Sequence, residues 1–186
     1  MRRDLGAETI LYPMPVLIIG TYGEDGTPDA MNAAWGGIHD TAQIGVSLSA
    51  DHKTTRNLLS RGAFTVSIAD AAHVAQADYV GIVSANDVPD KLSRAGLHAI
   101  PAEHTDAPLF EEFPLALECR VVRYDETSGY LVGDIVNVSA DERILGTDGK
   151  IDTERLAPIA FDPVALVYRV LGPAVGDAFQ IGKTIG

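Results

Sequence analysis

Apolar residues along this chain fall mainly in short runs bounded by turn residues, the pattern of strands, and only a few stretches are long enough to be helices. Pro15 to Tyr22 is a continuous apolar strand. Glu24-Asp25-Gly26-Thr27 follows it, and Asp-Gly suits a tight hairpin turn because glycine accepts positive φ without steric cost, so Thr27 to Trp35 is the expected partner strand. Gln43 to Ala50 places Ile44, Val46 and Leu48 on one face, and Ala63 to Ala69 aligns Phe64, Val66 and Ile68. Leu115 to Tyr124 and Tyr130 to Val138 predict a late hairpin across Glu126-Thr127-Ser128-Gly129, and Ala165 to Leu171 predicts a last strand.

Helices are expected between these strands. Asp51 can cap a helix from His52 to Arg61 that ends at Gly62, a residue able to take the left-handed position after a helix. Asp70 can cap a second helix reaching about Val83, and a third short piece from Pro89 to Arg94 ends at Gly96. There is no internal repeat, low-complexity tract or composition break, so one domain over residues 1–186 is expected. Many hairpin-connected strands with two or three helices predict a mostly β, mostly antiparallel barrel with helical insertions.

Composition narrows the function classes. The chain is 46% hydrophobic and 22% charged, as in an ordinary globular protein, and is long enough to bury a core without disulfides or metal. A formal net charge of -12 argues against nucleic acid or an anionic membrane as partner, yet a small anionic cofactor needs only a few local donors. The single Cys119 excludes an intrachain disulfide and fits a reducing compartment, so a cytoplasmic location is expected. Met1-Arg2-Arg3-Asp4 is not followed by an apolar run of signal-peptide or membrane-spanning length, so neither export nor membrane insertion is expected.

Two segments carry candidate chemistry. Asn32-Ala33-Ala34-Trp35-Gly36-Gly37 is rich in small residues where a strand normally carries bulk, which leaves backbone N–H and C=O groups open to a flat ring with heteroatoms along one edge; a glycine bend at a barrel corner fits the same composition. Ser47-Leu48-Ser49-Ala50-Asp51-His52-Lys53-Thr54-Thr55 runs from a strand end into a helix start. Amide groups there bind anions, and Ser49, Thr54 and Thr55 add hydroxyls. Lys53 in the first turn opposes the helix dipole, a mismatch that a bound phosphate would offset.

Other motifs are set aside. Gly20 to Gly26 leads into a hairpin, not a helix, so it is no dinucleotide fingerprint. Gly176 to Thr184 mimics a P-loop but spaces its glycines by five residues instead of four. His39, His73, His98 and His104 show no metal-ligand spacing, and neither Cys119 nor the serines sit in a nucleophile setting; no metal and no catalytic side chain are expected.

Read in order, Pro15 to Thr21, Asp25 to Trp35, Ile44 to Ser49 with Lys53-Thr54, Phe64 to Ile68, Asp78-Tyr79-Val80-Gly81 with Ser84, Asp87 to Lys91, and Tyr168 to Gly172 resemble the flavin-reductase-like proteins of the flavoredoxin branch. The resemblance covers nearly the whole chain. It implies a split β-barrel that binds FMN as a homodimer, with flavin near the subunit interface. Carried over residue by residue, it implies that Asn32, Ala33, Ala34 and Trp35 border the isoalloxazine ring, and that Ser47 and Leu48 lie near the ring and ribityl chain. Ser49, His52, Lys53 and Thr54 would serve the phosphate, and Lys91 would approach from the helical insertion. Two departures stand out: Ser84-Ala85-Asn86 replaces the more usual Ser-Gly-Arg, and Pro89 interrupts the step to Lys91.

The activity implied is an NAD(P)H-dependent flavin reductase, with a nicotinamide as donor and a monooxygenase or redox protein as acceptor. Such an enzyme needs little acid-base machinery, because hydride transfer belongs to the cofactor. Two alternatives stay open: an electron carrier with tightly held FMN and no nicotinamide turnover, and a cofactor-free or haem- or pyridoxal-phosphate-binding relative of the same fold.

Overall fold

The computed structural model describes residues 1–185. The strands are β1 (Met14–Pro15), β2 (Leu17–Tyr22), β3 (Pro28–Ala33), β4 (Gly36–Asp40), β5 (Gln43–Ser47), β6 (Ala63–Ile68), β7 (Ala99–Pro101), β8 (Pro108–Phe110), β9 (Leu115–Asp125), β10 (Tyr130–Ala140), β11 (Ile159–Asp162) and β12 (Val167–Val170). The α-helices are α1 (Lys53–Arg61), α2 (Val74–Ile82), α3 (Lys91–Ala95) and α4 (Thr153–Leu156). A seven-stranded sheet in the order β3-β2-β6-β9-β10-β5-β4 carries the fold, with a three-stranded sheet β1-β11-β12 and the small pair β7-β8 beside it. Every ladder is antiparallel.

Two features curl the large sheet. Register shifts in the β9-β10 ladder, between Val132 and Gly133 and between Ile135 and Asn137, bend it as bulges do. The second is covalent: β3 and β4 lie at opposite edges of the sheet, yet only Ala34 and Trp35 separate them. Three Cα steps of about 3.8 Å each bring the two edges within about 11 Å. The two edges therefore meet at that corner, and the curled sheet is a barrel split along the β3-β4 seam. This is the mostly β split barrel with helical insertions expected from the sequence.

The continuous apolar run in β2 is explained by burial on both faces. Leu17 and Ile19 point into the barrel with Val46, Leu58, Phe64, Val66 and Leu131; Val16 and Ile18 point outward beneath α2, with Ala77, Val80, Phe110 and Ile159. Gly20 is needed where β8 crosses this strand, since a Cβ there would lie 2.7 Å from the Pro108 carbonyl oxygen. Gly26 (φ 81) makes the β2-β3 turn, and Gly62 (φ 68) terminates α1 in the left-handed region, both as expected.

Local expectations fail at three places. Asp51 does not cap α1: His52 holds that position without a side-chain cap bond, because the Asp51 carboxylate accepts the Ser49 hydroxyl instead. Gly36 and Gly37 do not end the second strand but begin β4, whose pairing with β5 the sequence pattern did not reveal. Asp70 caps a 3-10 turn (Ala71–His73) that precedes α2, accepting the His73 amide at 2.9 Å. Cys119 is fully buried in the barrel core, and burial first, then Glu118 and Asp134, pushes its thiol up to about 12.

Candidate functional site

The β3 edge is flanked by α2, α3 and the start of α1, and a cleft of about 240 Å³ opens where they meet. Asp29, Asn32, His52, Lys53, Thr54 and Lys91 line it, closed on one side by the α2 end from Gly81 to Ala85. Asn32 is fixed by donating from Nδ2 to the Ala77 carbonyl at 3.0 Å. Through Asn32, Gly81 and Ile82 this cleft continues into a second, of about 400 Å³, walled by Ala34, Trp35, Asp78, Phe161 and Tyr168. The Tyr168 hydroxyl donates to Asp78 at 2.7 Å, and its phenol is pushed up to about 12, first by burial and then by Asp78.

The first cleft gathers basic side chains and a helix start beside one carboxylate, Asp29. Helix α1 has no side-chain cap, so its leading amide groups are not taken up by one, and no acid lies in its first turn. Lys53 and His52 stand beside it. Lys91 is 3% exposed, and its ammonium lies 3.8 Å from Asp29 Oδ1, beyond hydrogen-bonding distance. Among the described residues that ammonium makes no hydrogen bond. Burial pulls it below the ordinary lysine range, opposed by Asp29.

The sequence candidates are therefore distributed unevenly. Asn32, His52, Lys53, Thr54 and Lys91 share the first cleft, while Ala34 and Trp35 face the second. Ala33 turns its side chain into the barrel core. Ser47, Leu48 and Ser49 border a different cleft, with Trp35 and Tyr124. Leu48 has little left to offer: its side chain is buried, its amide donates to Gly129 and its carbonyl accepts from Tyr124. Of the hydroxyls expected for an anion, Thr54 donates to Asp29 at 2.7 Å and Ser49 to Asp51, while that of Thr55 is buried without a hydrogen bond and does not line the cleft. That leaves the helix amides, Lys53, Lys91 and His52 as available donors. Among the described residues no group of three or more His, Cys, Asp or Glu could hold a metal.

Trp35, more than half exposed, touches a further cleft of about 530 Å³ roofed by an amino-terminal strap from Glu8 to Pro13. The strap is held by Tyr12, whose hydroxyl donates to Asp162 at 2.6 Å.

The model of the flavin reductase like domain matches residues 9–167, from the strap to the start of β12. The chain belongs to this family. Its fold and that of the flavoredoxin of Desulfovibrio vulgaris (Miyazaki F) superpose with a TM-score of 0.93 at 40% identity, over 98% of this chain and 100% of that one. A flavoredoxin from Methanosarcina acetivorans gives 0.89 at 25% identity, with both chains covered completely. An uncharacterized protein of Aeropyrum pernix is 28% identical over 117 residues, 62% of this chain but only 44% of that longer relative.

Within this family frame, three contributors to the clefts went unread in the sequence: Asp29, Asp78 as the partner of Tyr168, and Phe161. Asp29 carried a usable signal. It is a carboxylate at an inward strand position opposite Thr21, a place that tolerates a charge only if it is paired.

Proposed function

We propose that this protein binds FMN with its phosphate at the first cleft and its ring along Asn32 to Trp35 toward the second, and works as an NAD(P)H-dependent flavin reductase. The observation that carries this is Lys91: a nearly buried ammonium without a hydrogen-bond acceptor, facing a cleft that Lys53, His52 and an uncapped helix start also face. A phosphate supplies the acceptors these donors lack. The adjoining cleft suits a flat ring, since Trp35, Phe161 and Tyr168 give it aromatic walls and Ala34 and Gly81 leave it open. Bound FMN would supply the hydride and electron chemistry. The chain's part is to hold the phosphate through Lys53 and Lys91, to orient the ring through the Asn32 to Trp35 backbone, and to keep Tyr168 protonated toward Asp78. Two copies would form the working unit.

A second use of the same site is electron carriage between proteins, favoured by the 40% identity to a protein described as a flavoredoxin. Titrating apo-protein with FMN and riboflavin tests the site itself. FMN should bind tighter by about 2–4 kcal/mol, the worth of two or three charge-assisted hydrogen bonds. Lys53→Ala should lose part of that preference with riboflavin affinity unchanged, and equal affinity of the wild type for both flavins would overturn FMN recognition. Anaerobic stopped-flow then separates the two uses: bleaching by NADH or NADPH supports the reductase, and bleaching by dithionite alone supports the carrier.

A further inference from the structure

A carboxylate lies inside the wall of the cleft just assigned to a phosphate, which is unexpected, because like charges repel. Asp29 is 2% exposed on β3. Its Oδ2 accepts the Thr54 hydroxyl at 2.7 Å, while its Oδ1 is buried and makes no hydrogen bond. The nearest opposite charge to Oδ1 is the Lys91 ammonium at 3.8 Å, on the first residue of α3. Two buried opposite charges normally close to contact, since attraction at short range is what offsets their desolvation. Here the gap stays open, and the three donors of the ammonium are unspent.

We infer that Asp29 is a positioning residue for the phosphate site, holding Lys91 charged and aimed at the cleft from behind while taking the Thr54 hydroxyl out of it. The inference rests on FMN binding as proposed above. Its physical basis is the set of charges around Lys91. From the start of α1 come Lys53 and the preceding His52, both facing the cleft; from β3 comes Asp29; Arg94 on α3 and Asp90 just before it pair with each other at 2.8 Å and stand in solvent. Burial and Lys53 both favour the neutral amine at position 91, and Asp29 opposes them. Without Asp29 no carboxylate beside Lys91 would oppose those two effects. Because Oδ1 is shielded from solvent, a bound phosphate would meet the ammonium and not the carboxylate. The Thr54 hydroxyl has one proton, given to Asp29, so a phosphate can be met by Thr54 only through its backbone amide.

The test is the preference for FMN over riboflavin as a function of pH in wild type and Asp29→Asn. Asparagine keeps the shape and an acceptor for Thr54, deletes the charge and puts an amide NH2 in place of Oδ1. A phosphate monoester is almost fully ionised above about pH 8, so it contributes almost no slope there. Wild type should hold a level preference to about pH 9, whereas in Asp29→Asn the preference should fall about tenfold per pH unit once Lys91 deprotonates. Riboflavin affinity should not move, and in a Lys91→Met background Asp29→Asn should add no further loss. A level profile in Asp29→Asn would overturn the positioning role while leaving the phosphate site standing. A wild type without preference for FMN would overturn the phosphate site, and the inference with it. Should Asp29→Asn fail to fold, the side-chain resonances of Lys91 in wild-type apo-protein decide: a charged ammonium at pH 8 is expected, and a neutral amine there overturns the inference.

Discussion

A side-chain carbon added to Gly81 would sit 3.0 Å from the Cβ of Asn32, so the absence of one lets α2 close against the strand end that faces both clefts. Gly81→Ala gains helix propensity of about 1 kcal/mol but pushes on Asn32, and forcing packed groups apart typically costs about 1–3 kcal/mol. The expected outcome is a nearly unchanged melting temperature with flavin affinity lowered about tenfold, read by fluorescence titration; an unchanged affinity would show that Asn32 does not border the ring. At this scale the sequence was informative where chemistry is local. Lys53 at a helix start announces its conflict with the dipole, and Cys119 among apolar neighbours announces the core. What one residue gives to another was hidden. That the Thr54 hydroxyl is spent on Asp29, and that of Ser49 on Asp51, depends on which side of a strand or turn each carboxylate takes. Lys91 was reached through resemblance alone, because no spacing ties a residue on α3 to a cleft beside β3.

Elements with regular periodicity were legible and elements defined by their partners were not. The β2-β3 and β9-β10 hairpins, β5, β6 and α1 follow from alternation, turn residues and a terminating glycine, whereas β7, β8 and β11 are short and β4 opens on two glycines, and only the ladder each joins makes them strands. The strap over the Trp35 cleft belongs to the second kind. Its anchor is Asp162, which accepts from the Tyr12 hydroxyl, from the Val164 and Ala165 amides and from Arg169 Nε at 2.8 Å. Tyr12 first, then the Ala165 amide and Arg169, hold this carboxyl far below the usual carboxylate range. Stabilisation from a depressed carboxyl is complete above its unfolded value of about 3.9 and is lost as pH falls below it. Trp35, the single tryptophan, lines the cleft that the strap roofs. Its emission should stay constant from neutral pH to about pH 4 and shift to the red below that. In Tyr12→Phe the shift should begin at higher pH, and coincident profiles would show that the latch does not hold the strap.

At the scale of the molecule, one copy leaves a group of large apolar side chains exposed toward its carboxy terminus. Val164, Leu166, Val170 and Leu171 are exposed around β12, and Val175, Phe179 and Ile185 follow on a carboxy-terminal arm. Every hydrogen bond described for residues 172–185 lies within that stretch. Large contiguous apolar surface marks an interaction face, in keeping with the proposed homodimer. Light scattering at micromolar concentration should give the mass of two chains, and a chain ending at Leu171 should dissociate more readily; a monomer with full flavin occupancy would show that one copy completes the site. The barrel form was legible as a class, but its closure was not, since nothing in Ala34-Trp35 says that the strands on either side lie at opposite edges of one sheet. That seam has a consequence for how such a protein can diversify. A barrel sealed by a ladder has a circumference fixed by its hydrogen bonds, whereas here no ladder pairs β3 with β4, and of the two joining residues Trp35 is tied by its carbonyl to the Ser47 amide of β5. Insertions or replacements at that joint would resize the mouth around Trp35 and leave the folding core untouched, so new guests could be admitted by lineages that never remodel the scaffold.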